Sequence, residues 1–216
     1  MSKTIIISDD HPLFRQALRA AISPLFEGAD ITEVETLAAT QEAFRQRQID
    51  LLFLDLRMSD SQGLAGLMIL KGSFPEIPII VVSASEGAET IRAAIQAGAS
   101  GYISKSASPE QIRESITTVM NGEVAIPQSA LSSVSDNEQR ELEAIENISL
   151  LTPTQLKVLV KMTEGMLNKQ IAYDMQISEA TVKSHVTAIF KKLHVRTRTQ
   201  AVVLAKQLDI VLSDDK

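Results

Sequence analysis

The sequence predicts an α/β unit, a doubly wound five-stranded parallel sheet of the (βα)5 kind, followed by an all-α four-helix helix-turn-helix unit. Three observations lead there. Short continuous apolar runs alternate with helix-period segments from residue 4 to about residue 121. Such β-α alternation implies right-handed crossovers and a parallel sheet covered on both faces. From residue 150 onward the pattern is wholly helical. Charge divides at the same place: residues 1–148 carry a net −10 and residues 149–216 a net +4, within a total of −6.

The elements follow in order. The apolar runs are residues 4–7, 31–34, 51–54, 79–82 and 101–103. They are continuous rather than alternating, as strands buried on both faces require. Helical spacing appears in Phe14/Leu18/Ile22, Leu64/Leu67/Leu70, Ile91/Ile95 and Ile112/Ile116/Val119. Pro12 enters the first helix, Gly98 ends the fourth and Ser108-Pro109-Glu110 opens the fifth, placements that suit Pro at a helix start and Gly at its end. Residues 122–148 read as a linker. Within it, Asp136 to Asn147 is charged, with Leu142, Ile145 and Ile148 giving one narrow stripe for a short packed helix.

The last unit opens at Thr152-Pro153, an N-cap with Pro at the first helical position, and Leu156/Leu159/Val160/Thr163 follow. Gly165 ends that helix. Asn168 is expected to cap a second helix over residues 169–175, Ser178-Glu179 to open a third running to about Leu193, and a fourth to span about residues 199–208. Val182, Val186, Ile189, Phe190 and Leu193 form the third helix's core face and leave Lys183 outside. Two helices joined by a short turn, the second basic and amphipathic, make a DNA-reading unit. The basic module on an acidic body has the same implication.

At 216 residues the chain suits two domains, and 44% apolar content is ample for real cores. No apolar run reaches the roughly 18–20 residues needed to span a bilayer, and the start shows no signal-peptide pattern. The expectation is a cytoplasmic protein without membrane insertion. With no Cys, disulfides and Cys-based zinc sites are excluded. The three scattered His, His11 and His194 among them, are set aside as metal ligands.

Chemistry concentrates just past the apolar runs: Asp9-Asp10, Asp55, Ser83 and Lys105. In an open α/β sheet, ligands bind outside the carboxyl ends of the strands. Three carboxylates, a hydroxyl and an ammonium suit a hard divalent cation with a phosphoryl group.

The segment Ile5-Ile6-Ile7-Ser8-Asp9-Asp10-His11-Pro12, with Leu54-Asp55-Leu56-Arg57-Met58, Ser83-Ala84 and Gly101-Tyr102-Ile103-Ser104-Lys105, resembles the receiver domains of bacterial response regulators. Leu151-Thr152-Pro153, Asn168-Lys169-Gln170-Ile171-Ala172 and Ile177-Ser178-Glu179-Ala180-Thr181-Val182-Lys183-Ser184-His185 resemble the LuxR-type helix-turn-helix. Together they look like a NarL/FixJ-type response regulator, with a receiver over residues 1–121, a linker over 122–148 and a DNA-binding domain over 149–216.

The resemblance implies residue roles. Asp55 would accept the phosphoryl group. Asp9, Asp10, Asp55 and the backbone carbonyl of Arg57 would hold Mg²⁺. Lys105 and Ser83 would bind the phosphoryl oxygens, and Tyr102 would be the switch residue. Lys183, Ser184 and Thr187 would face DNA, with His185, Thr181, Lys169, Lys191 and Lys192 nearer its backbone. Val202, Val203 and Lys206 would lie on a dimerising fourth helix.

The implied partners are a sensor histidine kinase, promoter DNA and, once phosphorylated, a second copy of the chain. The implied outcome is a transcription factor whose phosphorylation promotes dimerisation and release of the DNA-binding domain. The implied chemistry is self-phosphorylation and dephosphorylation only. Phosphatases that use such an Asp usually place a second Asp two residues on, where this chain has Arg57.

Departures from the family pattern are Ser59 in place of a common Pro, Gln176 and His194 in place of Gly, Thr187 in place of Lys, and Gln155 and Lys157 in place of acidic residues. A left-handed backbone at Gln176 or His194 is expected to cost about 1 kcal/mol relative to Gly.

Overall fold

In the computed structural model, which describes residues 2–208 and 210–212, five parallel strands form one sheet. They are β1 (Thr4–Ser8), β2 (Asp30–Val34), β3 (Leu51–Asp55), β6 (Ile79–Ser83) and β7 (Gly101–Ser104), in the order β2-β1-β3-β6-β7. Order reverses beside β1, so the crevice at the carboxyl ends of β1 and β3 is the topological switch point. Side chains alternate across the sheet. Ile5, Ile7, Leu51, Phe53, Ile80 and Val82 face one way, with Leu18 and Ile22 of α1 (Pro12–Ile22) and Ile116 and Val119 of α5 (Pro109–Met120). Ile6, Leu52, Leu54, Ile79 and Val81 face the other, under α2 (Leu37–Gln46), α3 (Ala65–Ser73) and α4 (Ala88–Gln96).

Helix α2 had no apolar spacing to announce it. Its buried face is Leu37, Thr40, Ala43 and Phe44, one of them polar, and Thr36 caps it by accepting from the Ala39 N–H. Thr40 is wholly buried because its hydroxyl bonds Ser8 Oγ at 2.7 Å and the Thr36 carbonyl at 2.8 Å.

Helix α6 (Asp136–Ser149) lies along α4, with Ile145 and Ile148 buried. Its main polar tie is Arg92 of α4, whose Nε donates to Glu138 Oε1 at 2.6 Å and whose Nη1 donates to the Ala130 carbonyl at 3.0 Å. Four further helices follow: α7 (Pro153–Thr163), α8 (Asn168–Asp174), α9 (Glu179–Lys192) and α10 (Arg198–Gln207). Thr152, Ser178 and Thr197 cap α7, α9 and α10 through their hydroxyls.

Asn168 does not cap α8. Leu167 holds the N-cap position, where its N–H donates to Gln170 Oε1, while Asn168 Oδ1 instead accepts from Arg198 at 3.1 Å.

One expectation changes. The C-terminal part is not wholly helical: a strand, β8 (Ile210–Leu212), follows α10. It joins a three-stranded antiparallel sheet with β4 (Arg57–Met58) and β5 (Ser61–Gly63), a hairpin just after Asp55. Residues 209 and 213–216 of the expected last unit lie outside the described residues. The apolar core is continuous from the sheet into the C-terminal helices. Helix α7 packs on α3, and one buried cluster runs from Leu52 and Leu67 into Leu156, Leu159 and Ile189. A Cβ built on Gly72 of α3 would stand 3.4 Å from Pro153 Cγ, so the absence of a side chain there permits the close approach.

Candidate functional site

Four of the singled-out side chains converge at the carboxyl ends of β1, β3 and β7. Asp9 and Asp55 are 2% and 4% exposed. Lys105 Nζ lies 2.6 Å from Asp9 Oδ2 and 2.7 Å from Asp55 Oδ2, and 4.7 Å from the centre of the Phe14 ring. Asp10 is half-buried beside them. Burial pushes the Asp55 carboxyl above its usual range, and the Asp9 charge adds to this, against the opposing Lys105 hydrogen bond. Burial works to lower the Lys105 ammonium, but its close pairing with the Asp55 and Asp9 carboxylates outweighs that and holds it above its ordinary value.

The loop is built to keep these groups in place. Arg15, buried on α1, donates to the Asp9 carbonyl at 2.7 Å and pairs with Glu35 at 2.5 Å. The Arg57 N–H donates to Asp55 Oδ1 at 3.1 Å, while the Arg57 side chain is exposed. Sequence reasoning missed Arg15 and Phe14. Their only signal was one basic and one aromatic position in the first turn of a helix that begins at Pro12.

His11 was set aside from the sequence, and the structure puts it with the carboxylates. Its Nδ1 is 2.7 Å from Asp10 Oδ1, 3.1 Å from Asp9 Oδ1 and 3.9 Å from Asp55 Oδ2. Asp9, Asp10, His11 and Asp55 each offer a donor atom, all within 4.8 Å of one another. Asp9 Oδ2 is fully buried and, among the described residues, has the Lys105 contact but no aligned hydrogen bond. Buried, closely grouped oxygens of this kind fit a hard divalent cation.

Ser83 and Tyr102 stand behind this group. Ser83 is buried, and its Oγ accepts from the Ser85 N–H at 3.2 Å. Tyr102 is 1% exposed, with its ring inside and its hydroxyl donating to the Ser85 carbonyl at 2.7 Å. Burial raises its phenol above the ordinary value despite hydrogen bonding near Ser83 and Ser85. Both therefore touch the one loop that leads from β6 into α4.

The second set of residues lies on α8 and α9. Lys183, Ser184, Thr187, Thr181 and Lys191 are exposed on α9, Lys169 is exposed on α8, and His185 is half-buried. Lys183 Nζ meets Glu179 Oε1 at 2.9 Å, an exposed i,i+4 pair that yields readily to a stronger anion. Lys192, half-buried on α9, also has partners within the chain. Its Nζ donates to the Leu150 carbonyl at 2.8 Å and to Gln155 Oε1 at 2.9 Å, so it ties α9 to the start of α7. On α10, Ala201 and Ala205 face the core, Val202 packs partly against it, and Val203 is 49% exposed beside exposed Lys206.

Comparison with known proteins agrees with this division of labour. Residues 5–117 match the response regulator receiver domain, and residues 149–205 match the bacterial regulatory proteins of the luxR family. The glycerol metabolism activator of Pseudomonas putida is 39% identical over 211 residues, covering 95% of this chain and 96% of that protein. The nitrate/nitrite response regulator protein NarP of Escherichia coli is 33% identical over 204 residues, covering 94% of each. Among solved structures, the two-component response regulator RcsB in complex with DNA superposes with a TM-score of 0.56 at 23% identity, over 96% of this chain and all of that one, a likeness of fold. The chain belongs to the response regulators that join a receiver domain to a LuxR-family DNA-binding domain, and it is a transcription regulator of that class.

Proposed function

We propose that Asp55 is the phosphoacceptor, that a partner sensor histidine kinase supplies the phosphoryl group, and that phosphorylation governs promoter binding by a dimer. The observation that carries this reading is Lys105 bridging Asp9 and Asp55 at the switch point, with Asp10 alongside. An Asp55 oxygen attacks the phosphorus as the bond to the donor's leaving group breaks. Lys105 then turns from the carboxylates to the phosphoryl oxygens, and the Ser83 hydroxyl donates to them. Asp9, Asp10, Asp55 and the Arg57 carbonyl would hold Mg²⁺, which when bound neutralises charge on the transferring group. Movement of Ser83 pulls on the loop that carries Ser85, the acceptor of the Tyr102 hydroxyl, and so reaches α4. The chain catalyses its own phosphorylation and dephosphorylation and turns over no external substrate.

In this reading residues 1–121 form the receiver, 122–148 the linker and 149–216 the DNA-binding domain. Lys183, Ser184 and Thr187 enter the groove of double-stranded promoter DNA, while Thr181, His185, Lys169, Lys191 and Lys192 contact its backbone. Val203 and Lys206 supply the dimer face of α10, with Val202 beneath them. A cytoplasmic location accords with this role. Among the described residues, no helix is long and apolar enough to cross a membrane.

The test is intact-mass analysis after incubation with acetyl phosphate, with and without Mg²⁺. The expected result is one added phosphate that needs Mg²⁺ and is lost in Asp55→Asn. A phosphate retained by Asp55→Asn overturns the assignment, and equal labelling without Mg²⁺ overturns the metal site.

A further inference from the structure

The edge strand β2 gives the site none of its side chains, yet its end holds the backbone that carries two of them. Asp9 directly follows β1, and its N–H donates at 3.1 Å to the carbonyl of Val34, the last residue of β2. The Asp9 carbonyl accepts from Arg15 Nη1 at 2.7 Å. Arg15 Nη2 in turn donates at 2.5 Å to Oε1 of Glu35, the residue after Val34. The contacts close a ring that runs from Asp9 to Val34, through Glu35 to Arg15, and back to Asp9.

A guanidinium is seldom buried, and Arg15 is 7% exposed. Its Nε lies 3.5 Å from Glu33 Oε2 and, among the described residues, has no aligned hydrogen bond. Burial on these terms is costly, so the contacts it secures must matter. They are unequal. The Glu35 side chain is 65% exposed, and an ion pair with a solvated carboxylate contributes little. The Asp9 carbonyl is the contact that lies inside.

That carbonyl belongs to the peptide joining Asp9 to Asp10. The peptide is planar, so a donor fixed on its oxygen fixes the turn between the two acidic residues. The carboxylates of Asp9, Asp10 and Asp55 are close enough to repel one another. Lys105 bridges Asp9 and Asp55, while Asp10 has His11 Nδ1 at 2.7 Å. With nothing on its carbonyl, the Asp9-Asp10 turn is free to open and spread this charge into solvent. A cation must then gather its own ligands, at a cost in affinity. Groups that hold the ligand-bearing residues tune a metal site in this way.

We propose that Arg15, steadied by Glu35, is a positioning residue for the metal. It presets the Asp9-Asp10 turn and so sets how tightly the site takes a divalent cation, without a part in phosphoryl transfer itself. The proposal rests on the metal site of the proposed function.

The test is Mg²⁺ titration of the full chain, read by the amide NMR signals of residues 9–11 and 57. Labelling by acetyl phosphate is timed across the same Mg²⁺ series. Arg15→Met, uncharged and of similar length, is expected to raise the Mg²⁺ dissociation constant about tenfold. Its labelling rate at saturating Mg²⁺ should match that of the unaltered chain, so that the Mg²⁺ requirement alone moves. Arg15→Lys keeps a cationic donor for the Asp9 carbonyl and should recover most of the affinity. Glu35→Ala changes an exposed side chain and should weaken Mg²⁺ binding about threefold.

An unchanged Mg²⁺ dissociation constant in Arg15→Met overturns the proposal. So does a saturated labelling rate that falls while Mg²⁺ affinity holds. Arg15→Lys binding as weakly as Arg15→Met overturns it too, because the carbonyl contact is then not the cause. If Arg15→Met does not fold, Glu35→Ala decides, and unchanged affinity in that variant sinks the idea. If Mg²⁺ moves none of these signals in the unaltered chain, the metal reading itself fails, and this proposal with it.

Discussion

Gln176 and His194 both have φ of 54°, the left-handed region that favours Gly. Each ends a helix in the same way. The Gln176 N–H reaches the Tyr173 carbonyl and the Ile177 N–H the Ala172 carbonyl, and His194 and Val195 repeat this on Lys191 and Phe190. These paired bonds satisfy carbonyls that would otherwise be orphaned at a helix end. The closure is needed even where the side chain disfavours it, so strain is retained. Both side chains are exposed, and little packing is lost on removing them. Gln176→Gly and His194→Gly are each expected to stabilise the protein by about 0.5–1 kcal/mol, measured by urea denaturation. A destabilised variant would show that the side chain makes a contact worth more than the strain.

At the scale of elements, the Arg92–Glu138 pair joins α4 to α6 across a mostly buried contact, 13% and 10% exposed at the side chains. Removing one partner of such a pair strands the other charge, whereas replacing both by apolar groups of similar volume removes both desolvation costs. Arg92→Met and Glu138→Leu are each expected to cost about 3–5 kcal/mol, and the double variant much less than either. A double-mutant cycle in urea checks this. Additive single effects would mean that the two charges are solvated and act separately.

For the whole molecule, the receiver does not cover the outer face of α9. Lys183 keeps 64% of its side chain exposed while α7 is packed on α3. Separation of α7 from α3 is therefore not needed to expose Lys183. Charge acts over a longer range, since the net −10 of residues 1–148 opposes the approach of DNA to a module of net +4. If Lys183 contacts a phosphate, Lys183→Ala in the phosphorylated protein should weaken binding to all duplexes alike and reduce the salt slope by about 1. If it reads a base, the loss should be about 1–3 kcal/mol on particular sites. Fluorescence anisotropy over a salt series separates the two, and unchanged affinity at moderate salt would remove α9 from the groove. In the proposed reading, moving the switch from 1:99 to 99:1 takes about 5.5 kcal/mol of differential stabilisation, to be supplied by the phosphoryl contacts and the dimer jointly.

The sequence by itself determined the parallel sheet, because runs such as Ile5-Ile6-Ile7 and Ile79-Ile80-Val81-Val82 can only be buried on both faces. It determined the site in outline too, since residues just past such runs must share one end of the sheet, as Asp9, Asp55 and Lys105 do. Helix ends were legible at Thr152, Ser178 and Ser108, where a local hydroxyl decides the matter. Tertiary structure decided what depends on partners distant in the chain. The hairpin of Arg57–Met58 and Ser61–Gly63 has no apolar pattern of its own and is held by Ile210–Leu212, about 150 residues away, through backbone bonds that carry no side-chain signature. His11 stands among the carboxylates because the residue before α1 lies at the end of β1, and Lys192 reaches the Leu150 carbonyl, 42 residues before it in the chain. Periodicity reports which face of an element is buried. Which other element buries it is settled only when the chain closes on itself.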